Sequence, residues 1–125
     1  KMHGVKRVPA SQKDQVKELA KLEAAKKLNK LCEEVLKRRR SNFYDAHGLG
    51  LTLKVLEINP EFYSAWNYRR AAFTNQSCLD AISADEGDVL QKELLLLQAA
   101  MEKNAKAYCL WSHRLWAVDR IAARE

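Results

Sequence analysis

The stretch NPEFYSAWNYRR, Asn59 to Arg70, returns forty-five residues later as NAKAYCLWSHRL, Asn104 to Leu115. Both copies place the same four residue types at the same offsets: Asn59, Tyr63, Trp66 and Arg69, then Asn104, Tyr108, Trp111 and Arg114. The register continues upstream, where Leu51 pairs with Leu96 and Glu57 with Glu102. Asn is a strong helix N-cap and Pro60 suits a first helical position, so a helix is predicted to start at Asn59-Pro60 and run to about Thr74. Asn104 is expected to cap the last helix in the same way. Tyr, Trp and Arg at steps of three share one helical face, where rings pack and a guanidinium lies on an aromatic surface. This reading makes the repeated residues structural.

Outward from the two copies, the chain reads as helices. Leu90, Leu94, Leu97 and Met101 form a stripe at helical spacing that ends near Lys103. Asp45 to Ile58 reads as a shorter helix with Leu49, Leu53 and Leu56 on one side, and the polar segment Asn75 to Asp88 as the break between two hairpins. Val16, Leu19, Leu28, Leu31, Val35 and Leu36 predict a long basic helix over residues 11–40, after a flexible tail over 1–10. Repeat one is expected at about 45–74 and repeat two at about 87–123, within a helical-repeat domain over 11–125. No segment has a strand pattern, so the fold class is all-α, an α-α superhelix of stacked helical hairpins. Such arrays need three or more units to bury their apolar faces. The two units therefore predict either the first part of a longer superhelix or a supporting partner.

Composition narrows the function classes. The three cysteines, Cys32, Cys78 and Cys109, are odd in number and far apart, so no disulfide framework or zinc knuckle is indicated and neutral thiols are expected. No run is long and apolar enough for a membrane span, and the start lacks the apolar core of a signal peptide, so a cytoplasmic location is expected. The net charge is +6, yet residues 1–40 alone hold thirteen Lys or Arg against five Asp or Glu. Lys26, Lys27 and Lys37 to Arg40 are the positions a nucleic-acid reading would use. The absence of interleaved aromatics argues against it, and the charge is read as a solvated face with no nucleic-acid partner.

N-x-x-x-Y-x-x-W-x-x-R at the second helix of a hairpin resembles the repeat of protein prenyltransferase α subunits, and both copies fit it. Met2-His3-Gly4, the basic helix ending in KRRR and the spacing to NPEFYSAWNYRR resemble the N-terminal portion of the branch of this family that acts on Rab GTPases, the type II geranylgeranyltransferases. The resemblance implies a heterodimer in which the α superhelix wraps a β subunit. That partner would hold geranylgeranyl diphosphate and the catalytic zinc, with no cofactor on this chain. The pair would transfer geranylgeranyl to C-terminal cysteines of Rab GTPases presented by an escort protein. This chain alone would be inactive. A non-catalytic helical-repeat scaffold for protein binding is the alternative that periodicity serves equally well.

Two positions after the repeated Asn, the first copy has Glu61 and the second Lys106. A lysine opposes the positive end of a helix dipole, so something is expected to compensate it; a helix N-terminus with free N–H groups plus an ammonium is an anion site. The resemblance implies the same place, with Lys106 and Tyr108 matching the family's Lys-x-Tyr at the diphosphate. The competing reading of Lys106 is a solvated surface side chain. The resemblance also implies a zinc contact for His3, an autoinhibitory ligand in the β subunit's metal site. His47 and His113 make no metal pair and are read as packing or surface residues, with His113 bordering the partner-facing surface. No nucleophile triad or phosphate-binding glycine loop is present.

Overall fold

The computed structural model describes residues 3–124, with side chains from Ser11 onward. Its helices run α1 His3–Arg40, α2 Ala46–Ile58, α3 Tyr63–Phe73, α4 Gln76–Ala81, α5 Glu86–Lys103 and α6 Tyr108–Arg124. No strand occurs among the described residues. Residues 1–30 and 31–125 form two compact units.

In the first unit, α1 begins at His3 rather than at Ser11, which corrects the irregular tail expected there. Pro9 removes one amide from the helical ladder, the one opposite the Val5 carbonyl, and no glycine or second breaker follows to end the helix. Val16, Leu19 and Leu22 are exposed. Lys21–Glu18 and Lys26–Glu23 are solvent-exposed pairs one turn apart, the type that contributes about 0.5 kcal/mol or less.

The second unit is built of two antiparallel hairpins, α2/α3 and α5/α6, with α3 packed against both helices of the second hairpin. The end of α1 belongs to it through Val35, which is buried. There the basic run is partly structural: Arg38 Nε donates to Glu34 Oε2 at 3.0 Å and its Nη1 to Asp45 Oδ1 at 2.7 Å. α1 ends in a Schellman turn, with Phe43 N–H donating to the Arg38 carbonyl and Asn42 N–H to that of Arg39. Asn42 sits at φ 53°, a left-handed position that Asn tolerates. Asp45 then caps α2, accepting from Gly48 N–H at 2.8 Å. Tyr68, fully buried, fastens this loop to α3: its hydroxyl donates to the Phe43 carbonyl at 2.8 Å and accepts from Asp45 N–H.

The repeated Asn residues do not cap α3 and α6, contrary to expectation. Asn59 closes α2, its N–H donating to the Val55 carbonyl, and Asn104 closes α5 through the Ala100 carbonyl. Each Asn then opens a β-turn. Phe62 N–H donates to the Asn59 carbonyl at 3.1 Å, with Pro60 at the turn's second position. Pro fits there because its fixed φ suits a turn as well as it suits a first helical residue. In the second copy Ala107 N–H donates to the Asn104 carbonyl. The Trp indole N–H locks each turn: Trp66 to the Pro60 carbonyl at 2.8 Å, Trp111 to that of Ala105 at 2.7 Å.

The polar break holds an extra short helix, α4. Asn75 caps it by accepting from Cys78 N–H at 2.9 Å, and Leu79 packs with Phe73 and Val89 between the hairpins. A second Schellman turn ends it, with Ser83 at φ 53°. Asp85 caps α5 through Gly87 N–H.

The joint between the hairpins is a buried ion pair. Arg69 Nε and Nη2 donate to the two oxygens of Glu93 at 2.7 and 2.6 Å, and Nη1 donates to Thr52 Oγ1 at 3.0 Å. Arg69 is 4% exposed and Glu93 2%. Arg69 therefore lies against Phe73, 5.1 Å from its ring centroid, and not on the Trp66 ring its spacing suggested. Arg70 is the residue that faces a repeat aromatic, 5.8 Å from the Tyr63 ring centroid. Arg69→Ala is expected to lower unfolding free energy by about 3 to 5 kcal/mol, because it strands a buried carboxylate. Urea titration of the wild type and variant measures it, and joint Arg69→Met, Glu93→Leu replacement should restore most of the loss.

Candidate functional site

Around the ion pair lies a cluster of rings and cations. His113, fully buried, stands between Trp66, at 4.4 Å between centroids, and Trp116, at 5.3 Å and nearly parallel. Its position corrects the expectation that it borders a partner-facing surface. The ring has one free tautomer choice and the neighbours make it. Arg70 Nε donates to Nδ1 at 3.2 Å, so Nδ1 carries no proton, and Nε2–H donates to Glu93 Oε2 at 2.8 Å. Burial drives the imidazole pKa down; the Glu93 hydrogen bond and charge oppose this, and Arg70 and Arg69 reinforce it. His113 is thus neutral near pH 7. Burial raises the Glu93 carboxyl, but hydrogen bonds from Arg69 and His113 outweigh it and hold the pKa at about 2.

Both shifts have the same sign for stability. A group whose folded pKa is depressed contributes stability that is present above its unfolded pKa and lost as pH falls toward the folded value. For His113 the loss begins below about pH 6.5, the unperturbed imidazole value. For Glu93 it follows below about pH 4.3 and is complete only near the folded pKa. The cluster is consequently a structural core with an acid limit.

The second arrangement is at the start of α6. Glu61, from the turn of the first repeat, reaches the N-terminus of the second repeat's closing helix and accepts from Tyr108 N–H at 3.0 Å and Cys109 N–H at 2.9 Å. The side-chain and backbone hydrogen bonds of Cys109 lower the Glu61 pKa most, and the Tyr108 amide adds to them. The amides expected to be free for an anion beside Lys106 are therefore partly taken by this carboxylate. Lys106 is exposed on the turn before α6 and Tyr108 is 75% exposed, so the ammonium and phenol face solvent on one end of the hairpin. Tyr63, at the same repeat position, is 56% exposed on the corresponding end of α3.

His3 opens α1, but its side chain lies outside the described residues, as do Lys1 and Met2 entirely. Among the described residues no group of three or more His, Cys, Asp or Glu side chains is assembled to hold a metal ion. No described helix is long and apolar enough to cross a membrane. The three cysteines are free. Burial raises the thiol pKa of each, that of Cys109 to about 11 with help from Glu61, so all three are neutral thiols.

These paired hairpins with a Trp-locked turn define a helical-hairpin repeat. The description "protein prenyltransferase alpha subunit repeat" matches residues 46–76 and 90–121, and the chain belongs to that family. Among curated relatives, the geranylgeranyl transferase type-2 subunit alpha of Dictyostelium discoideum is 36% identical over 96% of this chain and 39% of its own length. The protein of the same name from Saccharomyces cerevisiae is 34% identical over 94% of this chain and 35% of its own, and that from Rattus norvegicus 31% over 96% and 21%. The chain thus spans about two fifths or less of these relatives. No solved structure matches it.

Two outcomes follow from the geometry. Unfolding free energy should fall between pH 7 and pH 5, and His113→Gln, whose amide can donate to Glu93 and accept from Arg70 without titrating, should flatten that slope; urea midpoints across pH measure both. Glu61→Ala should speed amide exchange at Tyr108 and Cys109 by about tenfold, leaving the α3 amides unchanged in the same hydrogen-exchange NMR experiment. In the wild type this protection should persist above the ordinary carboxylate range and be lost as pH falls through the lowered Glu61 pKa.

Proposed function

We propose that the chain is the N-terminal part of the α subunit of a heterodimeric type II geranylgeranyltransferase. In this reading the enzyme transfers geranylgeranyl from geranylgeranyl diphosphate to C-terminal cysteines of Rab GTPases held by an escort protein, in the cytoplasm. The observation that carries it is alignment over 94 to 96% of this chain with relatives from distant organisms that share one name. The β subunit would supply the lipid site and the zinc, so this chain by itself would be inactive.

Within the assembly, Lys106 and Tyr108 take the diphosphate side. The sulfur of the protein substrate forms its bond to C1 of the lipid while the C1–O bond breaks, and negative charge grows on the departing diphosphate. The Lys106 ammonium offsets that charge and the Tyr108 hydroxyl donates a hydrogen bond to it. Glu61 supports this division of labour. At that repeat position the first copy commits a carboxylate to the next helix's amides. Lys106 has no acceptor with which to repeat the contact, and its exposed ammonium is left for an anion. For His3, the reading is a reversible zinc contact in the partner's site before substrate thiolate arrives.

Affinity capture of the natural polypeptide should recover a prenyltransferase β subunit. In the assembled enzyme, Lys106→Ala should lower kcat by about a hundredfold with the heterodimer intact. Turnover within a factor of two of wild type would remove the assigned role.

A further inference from the structure

The start of α6 is held from outside its own hairpin. The first amides of a helix have no partner within it, and the turn frays unless something accepts from them. Asn104 does not do so: its backbone closes α5 and its side-chain amide donates to the Ala100 carbonyl. The turn before α6 is closed by Ala107 N–H on the Asn104 carbonyl and by the Trp111 indole on that of Ala105, contacts that leave Tyr108 N–H and Cys109 N–H unused. Both amides go to Glu61, at 3.0 and 2.9 Å. Glu61 is itself fixed at its backbone. Its N–H donates to Asn59 Oδ1 at 3.0 Å, and its carbonyl accepts from the Cys109 thiol at 3.8 Å. A chain of contacts thus runs from the first repeat's Asn to the backbone of Tyr108. In the first copy α3 opens at Phe62 without a side-chain cap.

The exposure of Tyr108 gives this cap its consequence. At 75% exposed the residue has little packing around it in this chain, so the backbone at the first residue of α6 sets where its hydroxyl points. A donor aimed at developing charge works only when held to a fraction of an ångström, and a displacement of about 1 Å can lower the rate by up to about a hundredfold. Lys106 is held differently, within the turn that the Trp111 indole locks.

We infer that Glu61 is a positioning residue for prenyl transfer: it fixes the first turn of α6 so that the Tyr108 hydroxyl meets the departing diphosphate. The inference rests on the assignment of Tyr108 to the diphosphate side. In this role Glu61 touches no reacting atom and acts only through the α6 backbone, so an acceptor oxygen is what the position requires and its charge is secondary.

The test is steady-state kinetics of the assembled heterodimer in a double-mutant cycle, in which Tyr108→Phe removes the hydroxyl and Glu61→Ala the cap. Glu61→Ala should lower kcat about tenfold. KM for the lipid diphosphate should stay within about twofold of wild type, because the contact that Glu61 places is made in the transition state. In the Tyr108→Phe background the same substitution should leave kcat within about twofold, since no hydroxyl remains to be misplaced. Glu61→Gln, whose amide oxygen still accepts from α6, should keep kcat within about threefold of wild type. A drop of equal size in both backgrounds would mark a merely structural cap and overturn the inference, as would Glu61→Ala at wild-type kcat. Tyr108→Phe at wild-type kcat would overturn the reading of the site and the inference with it, whereas a loss with Tyr108→Phe and none with Glu61→Ala overturns the inference alone. If Glu61→Ala does not assemble with the β subunit, Glu61→Asp, a methylene short of the amides, enters the same cycle under the same criteria.

Discussion

The bidentate contact between Arg69 and Glu93 is the constraint around which the second unit is arranged. It joins α3 to α5, so it fixes one hairpin against the next at a single register. A one-turn slip would leave both charges buried and unpaired, a far larger penalty than the same slip between leucines. The pair contributes little net stability over an apolar replacement, because desolvation consumes much of its attraction. Its contribution is to exclude other arrangements. Thr52 and the Leu49 carbonyl take further hydrogen bonds from Arg69, and His113 donates to Glu93, so the charges kept inside are supported by partners beyond each other.

The same economy explains the contrast between the two hairpin ends. Where Glu61 is available, the first repeat caps the last helix of the second, and the dipole of α6 is neutralised from outside its own hairpin. Register in the interior and capping at the rim thus come from acids on different elements, both reaching across the same joint. Glu61 and Lys106 occupy one repeat position, so the first copy supplies this cap and the second has no carboxylate there with which to repeat it.

Much of this was legible in the sequence. The 45-residue offset, the leucine stripe of α5 and the lack of any strand pattern were enough for stacked α-hairpins. The misreadings have physical causes. Asn-Pro serves equally as a helix start and as the first half of a β-turn, and the turn prevailed because the Trp indole needs the Pro60 carbonyl within reach. Arg69 was sent to an aromatic surface because Glu93, its actual partner, falls at the repeat position of Gly48 and so was invisible to the alignment of the two copies. An acid inside the run VLQKELLLL was the available signal. His113 was read as a packing or surface residue; its packing role holds, but bordering the surface by adjacency to Trp111 does not, because on a helix two residues apart means opposite sides. Lys106 and Tyr108 lie exposed at one end of the hairpin, and the Tyr108 amide is taken by Glu61, forty-seven positions away in sequence, which no local pattern could show.

The Trp-locked turns carry a kinetic consequence. Each indole reaches a carbonyl only six residues earlier, so the bend between the helices of a hairpin is closed by a contact of short loop length. Such contacts cost little chain entropy and form early, whereas the Arg69 to Glu93 joint spans twenty-four residues and must wait for both hairpins. The chain is therefore organised to fold unit by unit as it emerges, with each bend set by its own tryptophan and the register decided afterwards, when the next acid arrives.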